Sequence, residues 1–328
     1  MINWGIIGGA RIAEKAIIPA ILQIKGHDVV AIGSRTAERA ARLSALAPHA
    51  QPYDSYDAVL NDHRVNAVYI GLPNSLHAEW TIKALEKGKH VLCEKPFAAS
   101  YAEALAMVEA AKKSGKTLME AFMYRYHPLT RRVLELVKSG KIGEIRAIHS
   151  AFAYMLANKM DIRRDAALAG GALFDVGTYC VSVVRLLAGA EPIRLSASAV
   201  FGETGVDESV SGEMWFPDKL VATFFASFET ARYDSLTVTG TKGVILVPSM
   251  FNYAMDSMLR LRLSDQQVHA TPTEFVEHIH YDNPYKLMVE NFGKVILENH
   301  QPLITLGDSL AQQYALDALL ESARKNAM

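Results

Sequence analysis

Through the first third of the chain, short apolar runs rich in β-branched residues alternate with segments whose apolar positions recur at helical spacing. The runs Asn3 to Ile7, Asp28 to Ile32, Val65 to Ile70, His90 to Cys93 and Thr117 to Ala121 read as strands. Between them lie helical patterns from Arg11 to Ile24 (interrupted at Pro19), from Ala37 to Ala47 and from Leu76 to Lys87. A further helix is opened by the capping box Ser100/Glu103 and stopped at Ser114-Gly115. Strands and helices alternating in this way form right-handed βαβ units, so a doubly wound parallel sheet is expected.

Beyond Phe122 the period changes. After a helix from Leu129 to Ser139 that ends at Gly140, the segments Ile145 to Phe152, Arg194 to Phe201, Ser209 to Phe216, Val221 to Phe228 and Ser235 to Thr239 alternate apolar with polar residues. A period of two marks strands with one covered face, most economically in an antiparallel or mixed sheet. Pro217-Asp218 and Gly240-Thr241-Lys242-Gly243 supply turns, and helical patterns return from Tyr285 to Glu298 and from Ser309 to Lys325. The expected fold is α/β: an amino-terminal Rossmann doubly wound parallel sheet over residues 1–121, then a carboxyl-terminal α+β domain over 122–328 built on a large open mixed or antiparallel sheet.

A length of 328 residues agrees with two domains, and a formal net charge of −1 gives no reason to expect nucleic acid or an anionic membrane as partner. Cys93 and Cys180 are the only cysteines, so neither a disulfide framework nor a zinc site is expected. No leader-like amino terminus and no run approaching the ~20 apolar residues of a membrane span are read in the sequence, which makes the cytoplasm the default location.

The first strand runs into Gly8-Gly9-Ala10-Arg11-Ile12-Ala13, a degenerate Gly-x-Gly-x-x-Gly/Ala with Ala10 where the second glycine belongs. Such a loop brings a pyrophosphate against backbone N–H groups at a helix amino terminus. A plain strand-to-helix turn is the alternative, and the loop's place as the first βα turn favours the cofactor. An NAD site would place Asp or Glu at the end of the second strand. Here Ser34 and Arg35 stand there with Arg39 one helical turn on, a hydroxyl and cations suited to the 2′-phosphate of NADP. NADP is therefore expected, with NAD as the alternative. Leu72-Pro73-Asn74 at the end of the next strand clears space for the cofactor, Asn74 or Ser75 can cap the following helix, and His77 faces either the site or solvent.

His90-Val91-Leu92-Cys93-Glu94-Lys95-Pro96 delivers a carboxylate, an ammonium and a proline to the carboxyl end of a strand, where ligands of open α/β sheets bind. Proline after Lys95 favours a tight turn, with a cis bond as one way to make it. Farther on, Gly170-Gly171 precedes a helix on which Asp175 and Tyr179 are four apart and share one face. Oxidising an alcohol by hydride transfer requires removal of its proton. A tyrosine near an ammonium such as Lys95 can take it, because the cation favours phenolate. The same spacing also fits a buried Tyr–Asp hydrogen bond tying helix to sheet.

Gly8-x-Ala10-x-x-Ala13, Leu72-Pro73-Asn74, Glu94-Lys95-Pro96, Met123-Tyr124-Arg125-Tyr126-His127-Pro128 and Gly170-Gly171-Ala172-x-x-Asp175-x-Gly177-x-Tyr179 occur in one order. With them the chain resembles the glucose–fructose oxidoreductase / inositol dehydrogenase / rhizopine-catabolism (Gfo/Idh/MocA) family over nearly its full length. The resemblance implies Lys95 beside the nicotinamide ribose, a cis Pro96, and an open carboxyl-terminal sheet that makes a homodimer or higher homo-oligomer. Tyrosine at 179, in place of histidine, looks like the dihydrodiol dehydrogenase, aldose dehydrogenase and glucose–fructose oxidoreductase branch. It implies an enzyme acting on a cyclic polyol, aldose or related ring, with a freely exchanging cofactor. Arg125, His127, Arg163 and Arg164 lie where family members draw substrate contacts, although solvated arginines are the default reading. The rival readings are an NAD-dependent enzyme on dihydrodiols or nucleotide-linked sugars, and a non-catalytic dinucleotide-binding regulator. Pocket size is expected to be set by the loops Tyr154 to Ala169 and Phe251 to Ser257.

Overall fold

The computed structural model describes residues 1–251, 256–264 and 272–327; the loop expected from Phe251 to Ser257 falls partly outside them. Six parallel strands form the first sheet: β1 (Ile2–Ile7), β2 (His27–Gly33), β3 (Gln51–Tyr53), β4 (Ala67–Ile70), β5 (His90–Glu94) and β6 (Leu118–Ala121), in the order β3-β2-β1-β4-β5-β6. Order reverses between β1 and β4, and the crevice at such a switch point is where dinucleotides bind. The short β3 and the helix Tyr56–Asn61 are absent from the elements read in the sequence.

The helices are α1 (Ile18–Leu22), α2 (Ala37–Ser44), α3 (Tyr56–Asn61), α4 (His77–Glu86) and α5 (Tyr101–Ser114). On one face of the sheet Val59, Trp80, Ala84, Met107 and Val108 pack with Val68, Ile70 and Val91 into one core cluster. The helix expected from Arg11 to Ile24 with an interruption at Pro19 is a π-helical turn, Ala13–Ile17, followed by α1 with Pro19 in its first turn. A proline clashes with the carbonyl four residues back, and here that carbonyl belongs to the widened turn.

The remaining helices are α6 (Pro128–Lys138), α7 (Thr178–Ala188), α8 (Pro284–Glu298) and α9 (Leu306–Lys325). The second sheet holds β7 (Ile145–Met155), β8 (Arg194–Phe201), β9 (Asp207–Trp215), β10 (Val221–Ser227), β11 (Glu229–Gly240), β12 (Gly243–Val247), β13 (Asp256–Leu263) and β14 (Thr273–His280). Its order is β14-β13-β12-β11-β7-β10-β9-β8, antiparallel except for the β7/β10 pair.

Two compact units result: Met1–Tyr126 with Asn283–Gln313, and His127–Asp282 with Tyr314–Met328. The sequence division at 121 has no such return of the chain to the first unit. The return has a packing reason, because Trp4 of β1 lies 5.2 Å from the Phe292 ring of α8 and a side chain at Gly293 would collide with His27. The stretch Ala166–Ala188 is, contrary to expectation, long and apolar enough to cross a membrane. It is a core element of the second unit, 72 % buried over its apolar window.

Candidate active site

In the first unit the glycine loop is locked between strand ends. Gly8 has φ +104°, and a Cβ on it would stand 2.3 Å from the Gly71 carbonyl oxygen. The Gly8 N–H donates to Gly33 O at 3.0 Å and the Gly71 N–H to Ile7 O at 2.9 Å. The room left by the missing side chains at Gly8 and Gly9 is taken by the Gly71 carbonyl and the Arg39 side chain, and Ala10, Arg11 and Ile12 lead on into the π-helical turn. The turn's place after β1, at the switch point of the sheet, fits a dinucleotide.

Arg39 does not stand free at the end of β2. Its Nε donates to Gly9 O at 2.7 Å, with Nη2 on the same oxygen, and a Cβ at Gly9 would lie 2.4 Å from that Nε. Ser34 is buried and Arg35 exposed, close enough to Tyr56 for its charge to oppose the burial that raises the Tyr56 pKa.

Leu72 and Pro73 follow β4, and Asn74 opens a short 3-10 turn. The N-cap position of α4 falls on Leu76, which makes no side-chain cap bond, and not on Asn74 or Ser75. His77 faces neither solvent nor an open site: it is wholly buried, Nδ1 2.8 Å from Pro96 O and Nε2 2.9 Å from Leu72 O. Burial, with the Lys95 charge acting in the same direction, holds its pKa below the ordinary histidine value. The neutral ring carries one N–H, so His77 donates to the carbonyl of one turn, after β4 or after β5, and packs against the other. In the turn after β5 the Lys95–Pro96 bond is cis, and Glu94 accepts the Tyr69 hydroxyl at 2.7 Å. Arg125 pairs with Asp308 at 3.2 Å, its side chain nearly buried.

In the second unit Asp175 lies in a second π-helical turn, Leu173–Gly177, and Tyr179 in the first turn of α7. The uniform helical face expected for the pair is therefore a widened turn followed by an α-helix, a local geometry frequent at functional sites. Asp175 Oδ2 accepts the Tyr154 hydroxyl at 2.8 Å and Arg163 Nε at 3.1 Å. Burial and the Asp175 carboxylate hold the Tyr154 phenol above its ordinary pKa, so it stays a donor. The Tyr179 ring meets Phe152 edge-on at 5.5 Å and lies tilted 5.5 Å from Phe251, which stacks on Phe152.

The arginines depart from the solvated reading. Arg163 is half-exposed and bound to Asp161 and Asp175, whereas Arg164 is buried against Glu208, Glu229 and the Leu156 carbonyl. His127 is buried as the N-cap of α6, its Nδ1 accepting the Leu129 N–H at 3.1 Å. Sequence reading missed Phe152 and Tyr154, whose signal was two aromatics sharing one face of an alternating strand. It also missed Tyr69, which carries no local signal.

A family model described as the oxidoreductase family with an NAD-binding Rossmann fold matches residues 2–122, and its GFO/IDH/MocA C-terminal domain companion matches residues 130–246. The chain belongs to this oxidoreductase family. Among its relatives is D-xylose 1-dehydrogenase (NADP(+)) 2 of Haloferax volcanii, 36% identical over 99% of this chain and 98% of that protein. A 3-ketoreductase from Actinomadura kijaniata, crystallised with NADP and TDP-benzene, superposes with a TM-score of 0.89 at 30% identity, covering 99% of this chain and 98% of that one. An aldose-aldose oxidoreductase from Caulobacter crescentus, complexed with glycerol, gives 0.88 at 25% identity with coverage of 99% and 98%.

Proposed function

We propose that the chain is an NADP-dependent dehydrogenase or reductase of aldoses, cyclic polyols or related hydroxylated rings. The Asp175 cluster carries this reading: a carboxylate oriented by Tyr154 and Arg163, four residues before a tyrosine set among aromatic rings. When bound, the nicotinamide supplies or accepts the hydride. Tyr179 exchanges the hydroxyl proton, Asp175 accepts a substrate hydroxyl and orients it, and Lys95 holds the cofactor ribose. The relatives' names, an NADP-dependent xylose dehydrogenase and a ketoreductase held with NADP, support the cofactor and the substrate class. Exposed Arg35, and the lack of an acid at the end of β2, support the 2′-phosphate.

Turnover of NADP+ or NADPH with a panel of aldoses, polyols and their keto forms tests this. Tyr179→Phe is expected to lower kcat by about a hundredfold or more with NADPH affinity unchanged. Equal turnover would sink the tyrosine's role, and NADPH binding with no turnover across the panel would favour the regulator.

We also infer a homodimer through the uncovered face of the eight-stranded sheet, where strand register places exposed Val200, Tyr233 and Val276 on one side. Light scattering at micromolar concentration tests it, and a monomer mass would overturn it.

A further inference from the structure

The di-glycine before the Asp175 turn has a partner on another strand. Asp207, the first residue of β9, is 3 % exposed, and its Oδ2 accepts the Leu173 N–H at 2.6 Å. The Ala172 N–H faces the same carboxylate. Gly171 has φ +121°, and a Cβ on it would stand 2.2 Å from Asp207 Oδ1. Any other residue at 171 fails twice, through backbone strain and through collision with that oxygen. Gly170 is required by backbone alone, since a Cβ there would lie 2.3 Å from Arg163 O.

Leu173 opens the π-helical turn that contains Asp175, and the turn has no side-chain cap from its own N-cap residue, Ala172. The Asp207 carboxylate supplies that cap from across the fold, at the helix end where negative charge is favoured. A widened turn has fewer closely set backbone bonds to define its start, so a fixed acceptor there sets where Asp175 and the first turn of α7 fall.

We propose that Asp207 is a positioning residue for the proton-transfer pair: its carboxylate, seated in the space that glycine leaves open at 171, fixes the start of the turn carrying Asp175 and, through it, the placement of Tyr179. This role rests on the function proposed for Asp175 and Tyr179, yet the anchoring itself is measurable without substrate. Burial pushes the Asp207 carboxyl up to about 7, against the opposing pull of the Ala172 and Leu173 N–H groups and of Arg324 on α9. The neighbouring Glu208 is bound to Arg164. The anchor accordingly gains full charge only as pH rises through neutrality.

Amide hydrogen exchange on the full chain, NADPH titration by fluorescence, and steady-state turnover of D-xylose with NADP+ across pH 6 to 9 test it on the wild type and Asp207→Asn. In the variant, exchange at Leu173 and Asp175 is expected to rise about tenfold or more, with NADPH affinity unchanged. kcat is expected to fall about tenfold or more, beyond any rise in KM, and the wild-type inflection near neutral pH to disappear. Asp207→Ser, which removes the carboxylate without adding bulk, gives the same readouts if Asp207→Asn does not fold. Unchanged exchange at Leu173 and Asp175 overturns the anchor, and raised exchange with wild-type kcat overturns its bearing on the pair. A wild type that binds NADPH but turns over no sugar defeats the proposed function instead, and the exchange measurement still decides the anchor.

Discussion

The Tyr69 hydroxyl donates to Glu94 Oε1 at 2.7 Å from the adjacent strand, and Glu94 Oε2 accepts the Lys95 N–H at 3.3 Å. Glu94 therefore clamps the backbone of the residue that follows it, with a wholly buried phenol behind it. Burial and the carboxylate hold the Tyr69 pKa well above its ordinary value, so it remains a donor at any working pH. Tyr69→Phe leaves the carboxylate one donor short. A loss of about 1–3 kcal/mol in urea unfolding is expected, together with weaker NADPH binding. Stability within about 0.5 kcal/mol of wild type would show that Glu94 is satisfied without the tyrosine.

Arg35 and Arg39 separate two ways of losing cofactor affinity. Arg39 is bound to the Gly9 carbonyl, so Arg39→Ala frees the glycine loop and weakens NADPH and NADH alike. Arg35 is exposed, and Arg35→Ala removes only a cation for the 2′-phosphate. It should weaken NADPH by about tenfold or more and leave NADH nearly unchanged. Fluorescence titration with both nucleotides checks this, and equal losses in Arg35→Ala would refute the phosphate assignment.

The division of labour between these arginines was not legible in the sequence, because Arg39 takes its partner 30 residues away. The fold was more legible where a strand has one covered face, as in β7 and β8. β13 shows the same alternation, Leu259, Leu261 and Leu263 against Arg260 and Arg262, yet it is missing from the strands read above. β12 is a short unbroken apolar run, which periodicity alone cannot separate from helix. Lys95, Asp175 and Tyr179 stand out because each sits in a compact motif. Asp207 and Tyr69 do not, since what they do depends on a neighbour brought in by folding.

His77 makes stability depend on pH. Its ring lies between two carbonyl oxygens in a fully buried setting, and its folded pKa is lowered, mainly by desolvation. A lowered folded pKa means that the unfolded chain binds the proton more readily. The stabilising contribution is then present above the unfolded value near 6.5 and is lost as pH falls through the folded pKa. His90 and His127, both lowered to about 4, act in the same direction, so a comparison with His77→Gln isolates the single residue. Urea unfolding at pH 5 and 7.5 should show a smaller acid loss in His77→Gln than in wild type, and identical losses would remove His77 from the account. The same variant should bind NADPH less tightly at pH 7.5, because glutamine does not fill the ring's place between the two turns.

Adjacent arginines should behave as opposites. Arg164 is 3 % exposed and holds Glu208, Glu229 and the Leu156 carbonyl. Arg164→Met strips a buried cation from two carboxylates, a change that costs about 3–5 kcal/mol where no water can replace it. Glu229 is more than a third exposed and rehydrates, so the lower end is expected. Limited trypsin digestion should then cut within 157–169, a segment Arg164 pins to β9 and β11. Arg163 has a side chain 43% exposed, and its ion pairs with Asp161 and Asp175 are worth at most about 1 kcal/mol. Arg163→Met should therefore unfold like wild type. It nonetheless removes a donor from Asp175, so KM for the sugar should rise while the loop stays resistant to trypsin. A stability loss in Arg163→Met as large as that in Arg164→Met would mean that the loop is held through Asp175 and not through the buried guanidinium.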